Sequence, residues 1–289
     1  MSLKKILILA LFVLFSLESI CQIVNVALDD QRVARIYTEI IGEGEPIVIF
    51  HRASAGYLEP IFESQTGWKR IYIDPPGVGK SSSDTWIINA DVALQVMIRT
   101  IQTILPEKQF SIAGFSYFGY MSMGVIKTMP DKVKGTLLTC PVTIPDFNKR
   151  DLSVSNYRYT DSTFYATLQP GERALFDGFV YQTETTYKIA RDQRRHDVLL
   201  DVDFWNTIKQ NAYHFSFPVD NITHQGPSLI FLGLQDNVVG FKDGLSLASI
   251  FPRGSIVAMD LASHSLPFEQ NEAFTLLVTH WLKRIKMVQ

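Results

Sequence analysis

A short apolar run leads directly into a serine turn and a helical pattern at residues 110–125, which read FSIAGFSYFGYMSMGV. Residues 110–113 fit a buried strand, and residues 121–125 fit a helix that packs against it. A serine on a tight turn between a strand and a helix projects its hydroxyl over the sheet edge, where the helix N-terminus favours negative charge. Ser116 is therefore the candidate nucleophile, and the backbone N–H of Tyr117 is the candidate donor to an oxyanion.

A serine is a weak nucleophile by itself and needs a base and a group that orients the base. Two loops further along the chain supply candidates. Asp236 follows an apolar run at residues 228–232, and His264 follows another at residues 255–259. Asp260 is much closer to His264 in sequence and competes with Asp236 for the role of the acid.

Alternation of apolar runs with amphipathic stretches predicts the surrounding architecture, a mostly parallel sheet flanked by helices. The other predicted elements are strands at residues 46–50, 70–73 and 135–139, a helix at 94–105 with possible caps at Asn89 and Asp91, and a closing helix at 268–286. The strand pattern disappears between residues 143 and 225, where Pro170 indicates a helix start. We therefore divide the chain into an α/β core at 22–142 and 226–289 and a mostly helical insertion at 143–225.

The first 21 residues have the pattern of a signal peptide. Two lysines precede an apolar run at residues 6–15, and polar residues including Glu18 follow it. The run is shorter than the roughly 20 apolar residues that a membrane span needs, so we expect no stable membrane anchor. Cleavage after Cys21 would release an exported protein, periplasmic or extracellular.

Composition limits the class of partner. The chain has 289 residues, of which 46% are hydrophobic and 19% charged, and its net charge is −2. This excludes disorder for most of the chain and gives no sign of the basic face that nucleic acid requires. We expect a small-molecule substrate, whereas the oligomeric state stays open.

Two features that could indicate a bound phosphate or metal give little support for either. Residues 76–81 read PGVGKS and end like a phosphate-binding loop, but that motif would need a glycine at Asp74. The histidines outside the predicted site lack the spacing with carboxylates that indicates a metal site. After loss of the first 21 residues, Cys140 is the remaining cysteine, so no intramolecular disulfide is expected. We predict neither a metal nor a cofactor.

Together these motifs resemble an α/β-hydrolase-fold serine hydrolase with a helical cap, from about residue 33 to the C-terminus. The segments that carry the resemblance are Phe50-His51, residues 74–81, the turn around Ser116, and the loops at 235–237 and 263–265. The resemblance implies the α/β-hydrolase fold, because serine, acid and histidine follow in that order after different strands. It also implies a triad of Ser116, Asp236 and His264, an acyl-enzyme, and a small ester, amide or related acyl substrate.

Two positions depart from the family pattern. Phe118 stands two residues after the serine, where the family usually has a small residue, so we expect a shifted or looser turn. His51 is followed by Arg52 and Ala53 where the family has glycines, and one of these two would give the second oxyanion N–H. We expect substrate contacts from His51, Tyr57 and Phe115.

Aromatic residues are frequent in the insertion at 143–225, which predicts a lid that lines an apolar pocket. The expected substrate is therefore a modest apolar or aromatic molecule. Two alternatives remain: a non-catalytic protein that binds ligand in the same pocket, and a cofactor-free oxidative enzyme with the same fold and triad.

Overall fold

The computed structural model describes residues 19–51, 55–193 and 199–287. Its strands are β1 (Ser19–Ala27), β2 (Val33–Ile41), β3 (Glu45–Phe50), β4 (Trp68–Ile73), β5 (Phe110–Phe115), β6 (Val133–Thr139), β7 (Tyr159–Thr160), β8 (Tyr181–Gln182), β9 (Ser228–Gly233) and β10 (Gly254–Met259). Eight of them form one sheet in the order β1-β2-β4-β3-β5-β6-β9-β10, while β7 and β8 pair separately. β2 runs antiparallel to both of its neighbours, and the other pairs in the sheet are parallel. The predicted mostly parallel α/β sheet is confirmed.

Helices connect or follow these strands, and most of them flank the sheet. They are α1 (Glu59–Glu63), α2 (Ala90–Ile104), α3 (Tyr117–Thr128), α4 (Ser162–Thr167), α5 (Pro170–Phe176), α6 (Glu184–Gln193), α7 (Val202–Ala212), α8 (Lys242–Leu245), α9 (Leu266–Glu269) and α10 (Asn271–Met287). Asn89 caps α2, because its side-chain oxygen accepts the Val92 N–H at 2.9 Å. Asp91, the other possible cap, instead accepts a hydrogen bond from the backbone N–H of Ser216.

The closing helix differs from the prediction. The predicted helix at 268–286 is divided into α9 and α10 at Gln270, whose backbone leaves the helical region with φ −116° and ψ 40°. The Gln270 side chain donates to the carbonyl of Leu261 at 2.9 Å. The break thus ties the start of the closing helix to the loop that carries His264.

Strands β1 and β2 were missed by the sequence pattern. They pair from Ser19↔Ile41 to Ala27↔Val33 as an antiparallel ribbon at one edge of the sheet. β1 is mostly exposed and β2 alternates between exposed and buried residues, so neither has the continuous apolar run that identifies a central strand.

The predicted signal peptide falls mainly outside the described residues, which begin at Ser19. Cleavage after Cys21 would remove the first three residues of β1 and leave the pairing from Gln22 onward. No helix in the described part of the chain is both long enough and apolar enough to cross a bilayer.

In its described residues, the segment between β6 and β9 contains four α-helices and one pair of two-residue strands. It packs in two ways. Helix α7 buries Phe204, Trp205 and Ile208 in the main core. The part that includes α4, α5 and α6 has a small apolar cluster of its own, formed by Leu168, Phe176, Phe179, Tyr187 and Ala190.

Candidate active site

Ser116 lies on the turn between β5 and α3 with φ 55° and ψ −125°, a backbone conformation that is costly for a residue with a side chain. Hydrogen bonds hold the turn in place. The Ser116 N–H donates to the carbonyl of Thr139 at 3.0 Å, and the Ser116 carbonyl accepts from Gly119 and Val142 at 3.0 Å each. The side chain is therefore fixed at the carboxyl edge of the sheet, over which it projects.

Glycine allows helix α3 to approach the sheet closely at this turn. A Cβ at Gly114 would lie 2.3 Å from the Phe118 carbonyl oxygen, and one at Gly119 would lie 2.8 Å from the Pro141 Cβ. We expected Phe118 to shift or loosen this turn, but the turn keeps the hydrogen bonds described above. The Phe118 ring lies away from the contact between helix and strand. It contacts His51 and Trp205 edge-on, with ring centroids 5.4 and 5.9 Å away.

A chain of hydrogen bonds joins the three predicted residues. Ser116 Oγ lies 2.9 Å from His264 Nε2, and His264 Nδ1 lies 2.8 Å from Asp236 Oδ2. Asp236 is completely buried, and its other oxygen accepts the N–H groups of Val238 and Val239 at 2.9 and 3.0 Å. These bonds stabilise the carboxylate and orient it toward the imidazole.

Asp260, the competing acid, has a different partner. Its carboxylate accepts a hydrogen bond from the Gln235 side chain at 2.9 Å. The amide oxygen of Gln235 in turn accepts the Ala262 N–H at 3.1 Å. Gln235 thus joins the loop after β9 to the loop after β10. The carboxylate that contacts His264 is that of Asp236, not that of Asp260.

Buried Glu269 supports the histidine loop. Its carboxylate accepts the Ser263 N–H at 2.6 Å and the Ser263 hydroxyl at about 3 Å, and also the Val180 N–H at 2.6 Å. Ser263 precedes His264, and Val180 belongs to the segment between β6 and β9. Burial raises the pKa of Glu269, although these donors oppose the shift. The carboxylate therefore links the inserted segment to the histidine loop, a contact that the sequence did not indicate.

We expect Glu269→Gln to lower the free energy of unfolding by about 1–3 kcal/mol, because the new NH₂ group would face a backbone N–H and leave a buried donor unpaired. Chemical denaturation measures this change. Glu272→Gln is the matched control, because Glu272 lies three residues further along the chain and is exposed. Equal stability of the two variants would contradict the structural role of Glu269.

Tyr117 begins helix α3, so its backbone N–H is one of the helix-start donors without an intrahelical acceptor. Its buried ring stacks on Tyr213 with centroids 3.9 Å apart, and its hydroxyl donates to the Tyr213 carbonyl at 3.0 Å. The stack fixes the start of α3 against the end of α7. Arg52 and Ala53, the expected source of a second oxyanion donor, lie outside the described residues.

The three residues predicted to contact substrate lie in different surroundings. Phe115 packs on His264, with ring centroids 4.8 Å apart. Tyr57 is buried in the core behind Phe115 and contacts Phe274 edge-on. His51 is also buried, and burial lowers the pKa of its imidazole to about 4, so the ring is neutral near pH 7.

A cavity of about 630 Å³ opens beside the serine. Its lining comes from Ser116, from residues after β6, from the end of α7, and from the loop after β9. The lining residues are Ser116, Val142, Pro145, Asp146, Phe147, Arg150, Lys209, Asn211, Ala212, Tyr213, His214, Val238 and Val239. His51, Tyr57 and Phe115 are not among them. Of the aromatic residues in the insertion, Phe147 and Tyr213 reach the cavity wall, whereas Phe176, Phe179 and Trp205 pack internally.

Among the described residues, one group could offer three metal ligands: Cys140, Asp236 and His264 have ligand atoms within 4.8 Å of one another. Asp236 and His264 already hydrogen-bond to each other. Burial raises the pKa of the Cys140 thiol well above its usual value, which disfavours the thiolate that binds metals. Asp236 and His264 are therefore engaged with each other, and Cys140 is a poor third ligand for a metal ion.

No protein-family model matches the sequence, and no curated protein matches it closely enough to identify a relative. Solved structures do resemble it. An α/β superfamily hydrolase from Oenococcus oeni PSU-1 is 25% identical, with a TM-score of 0.76 over 87% of this chain and 96% of the other. An esterase from Exiguobacterium antarcticum is 19% identical, with a TM-score of 0.65 over 90% and 98%.

A thermophilic esterase from Thermogutta terrifontis is 16% identical, with a TM-score of 0.65 over 91% of this chain and 99% of the other. Each of these likenesses extends over most of both chains. The chain therefore has the α/β-hydrolase fold.

Proposed function

We propose that this chain is a serine hydrolase that cleaves a small ester, amide or related acyl substrate. The observation that carries the proposal is the unbroken hydrogen-bonded series from Ser116 through His264 to buried Asp236, with a cavity open beside the serine. The fold is consistent with it, because the structures that this chain resembles include proteins named as hydrolases and esterases.

In the proposed reaction, His264 Nε2 takes the Ser116 hydroxyl proton while Oγ forms a bond to the acyl carbon. Asp236 holds the imidazole in the tautomer that can accept this proton and stabilises the imidazolium that results. The carbonyl oxygen becomes an oxyanion and accepts a hydrogen bond from the Tyr117 N–H. We further propose that a backbone N–H of Arg52 or Ala53 gives the second bond.

The imidazolium of His264 then protonates the leaving oxygen or nitrogen as its bond to the acyl carbon breaks. The acyl group stays on Ser116 Oγ. A water molecule gives its proton to His264 and attacks the acyl carbon, and collapse of the second tetrahedral intermediate returns the proton to Oγ. The products are a carboxylic acid and the free alcohol or amine.

An assay of short aryl esters tests the proposed activity. Hydrolysis is monitored as the release of acid and phenol in equal amounts. A parallel assay with peroxide and halide tests for oxidative chemistry. We expect ester hydrolysis that a fluorophosphonate abolishes. Saturable ligand binding without ester turnover, or turnover with peroxide alone, would contradict the proposal and favour a binding protein or an oxidative enzyme.

We also propose that residues 143–225 form a lid that selects the substrate. Its residue Tyr213 lies on the cavity wall and stacks on Tyr117, next to the serine. A lid at this sheet edge would exclude water and limit the size of the acyl group.

We expect Tyr213→Ala to raise the ratio of kcat/KM for a bulky aryl ester to kcat/KM for the acetate, because removal of the ring widens the cavity. A ratio of specificity constants does not depend on the amount of folded enzyme. The control is Tyr159→Ala, since Tyr159 belongs to the same segment but is 46% exposed and lies outside the cavity lining. If both variants keep the wild-type ratio, the lid residues at the cavity do not select the acyl group.

Export stays a proposal based on the sequence of residues 1–21. We expect protein recovered from the periplasm or medium to have the intact mass of a chain that begins near Gln22. Signal peptidase requires small residues just before its cut, and Ser19 and Cys21 would supply them. A mass that retains residues 1–21, together with sedimentation in the membrane fraction, would contradict export as a cleaved protein.

A further inference from the structure

The wall of the cavity beside Ser116 carries positive charge. Arg150 and Lys209 both line it, and its acidic lining residue, Asp146, already has a cationic partner in Lys149 at 3.4 Å. Within the described ranges of the chain, no carboxylate forms an ion pair with Arg150 or Lys209. Lys209 is exposed, whereas Arg150 is half-buried. A half-buried cation without an ion pair is unusual in a protein, because removal of charge from water is costly.

Neutral groups hold the Arg150 guanidinium in place. Its Nε donates to the carbonyl of Ile144 at 2.8 Å, Nη1 to that of Val238 at 3.0 Å, and Nη2 to that of Pro145 at 3.2 Å. These three carbonyls fix the orientation of the side chain, while the carboxylates of Asp146, Asp236 and Asp243 act on its charge from a distance without an ion pair. A guanidinium has five N–H groups, so one remains on each terminal nitrogen.

The position of Arg150 connects it to the catalytic loops. Its Nη1 bond reaches Val238, whose N–H in turn donates to Asp236. The guanidinium also lies over the ring of Phe147, with Cζ 5.5 Å from the ring centroid. The cavity thus combines apolar and aromatic walls with an oriented cation, and Ser116 lines the same cavity.

We infer that the substrate of this site carries a carboxylate, which the Arg150 guanidinium binds while the ester or amide bond lies at Ser116. The inference rests on the proposed hydrolase function and narrows its substrate class to a small apolar monoanion. Planar guanidinium matches the two oxygens of a carboxylate, and Lys209 adds positive charge to the same wall. This adds one charge to the modest apolar or aromatic substrate that the aromatic content of the insertion suggested.

The carboxylate could stand on either side of the bond that is cleaved, and paired substrates distinguish the two cases. For the acyl side, we compare mono-4-nitrophenyl adipate with neutral 4-nitrophenyl hexanoate. For the leaving-group side, we compare 4-acetoxybenzoate with its methyl ester. The quantity measured in each pair is the ratio of kcat/KM for the anion to kcat/KM for the neutral ester, after subtraction of spontaneous hydrolysis.

The wild-type enzyme should prefer the anion in at least one pair. Arg150→Met should lower that ratio by about tenfold or more, since charge-assisted hydrogen bonds contribute at least this much to binding. Arg150→Lys, which keeps the charge, should retain part of the preference. Lys188→Met is the matched control, because Lys188 is an exposed cation of the same segment that pairs with Glu184 outside the cavity lining, and it should leave the ratio unchanged.

A purely structural role for Arg150 would change stability and both substrates of a pair equally, so the ratio would stay constant. A wild-type ratio of one or less in both pairs, or an unchanged ratio in Arg150→Met, would overturn the inference. Neutral esters would still be cleaved in that case, and the proposed function would stand.

Direct binding separates the two claims further. Calorimetric titration of the Ser116→Ala variant with adipate and with 4-hydroxybenzoate should show binding of at least one of them, and this binding should weaken about tenfold when Arg150→Met is added. If such binding occurs in a protein that cleaves none of the four esters, the hydrolase assignment is wrong and the carboxylate site is upheld. Absence of binding by both probes would count against the carboxylate site.

Discussion

The Ser116→Ala variant should lose on the order of 10⁵-fold in kcat toward aryl esters, since residues of a nucleophilic triad act as one unit. Alanine removes the hydroxyl that lies 2.9 Å from His264 Nε2 and would form the bond to the acyl carbon. The remaining activity would come from oxyanion stabilisation and binding alone. Steady-state hydrolysis of 4-nitrophenyl acetate, measured against the background reaction, checks this expectation.

Ser122→Ala provides the control for this change. Ser122 is buried on the same helix, and its hydroxyl donates to the Phe118 carbonyl at 2.8 Å rather than to a histidine. Its loss should leave kcat within a few-fold of wild type. Full activity in Ser116→Ala would show that another group attacks the substrate.

Asp236→Asn should reduce kcat by roughly 10⁴-fold while the fold is retained. The N–H groups of Val238 and Val239 would hold the asparagine carbonyl oxygen, because they now donate to Asp236 Oδ1. The NH₂ group would then face His264 Nδ1 and force the proton onto Nε2. In that tautomer the histidine cannot accept the proton of Ser116.

Asp260→Asn is the matched control for the acid. Asp260 contacts the Gln235 side chain instead of His264, so its substitution should cost little activity. The comparison uses kcat at a fixed pH, with folding monitored by circular dichroism. A larger loss in Asp260→Asn than in Asp236→Asn would transfer the role of the acid to Asp260.

Local patterns in the sequence account for the central part of the fold. Strands β3, β5, β6 and β9 are apolar runs near the predicted positions, because central parallel strands are covered on both faces. Strand β4 and the edge strand β10 contain shorter apolar stretches that were predicted as well. The candidate site residues Ser116, Asp236 and His264 could be predicted because each lies in the turn or loop that follows one of these strands. Their contact then follows from topology, since parallel strands bring their carboxyl ends to one edge of the sheet.

Contacts between distant segments could not be predicted in the same way. Arg150 reaches the cavity through bonds to Ile144, Pro145 and Val238, and Glu269 joins Val180 to Ser263. No periodicity links these positions along the chain. Arginine and glutamate are also usually solvated at the surface, so composition favoured exposed positions for both.

The positions of the aromatic side chains in the inserted segment could not be predicted from the sequence either. Its aromatic residues predicted a lid with an aromatic lining, but burial of large rings is equally well satisfied by internal packing. Phe204 and Trp205 of helix α7 belong to the main core, whereas Tyr213, just after that helix, lines the cavity. Aromatic residues that pack in the core and those that line the cavity look alike in the sequence. Only the contacts in the folded chain distinguish them.

Reaction of the purified protein with a fluorophosphonate, followed by peptide mapping, tests the central claim most directly. Such a probe phosphonylates a serine that is activated by a neighbouring base. We predict one modified site at Ser116 in the wild-type protein and loss of modification in a His264→Ala variant that remains folded. Failure to label the active wild-type protein, or stable labelling at another serine while Ser116 stays unmodified, would contradict the assignment.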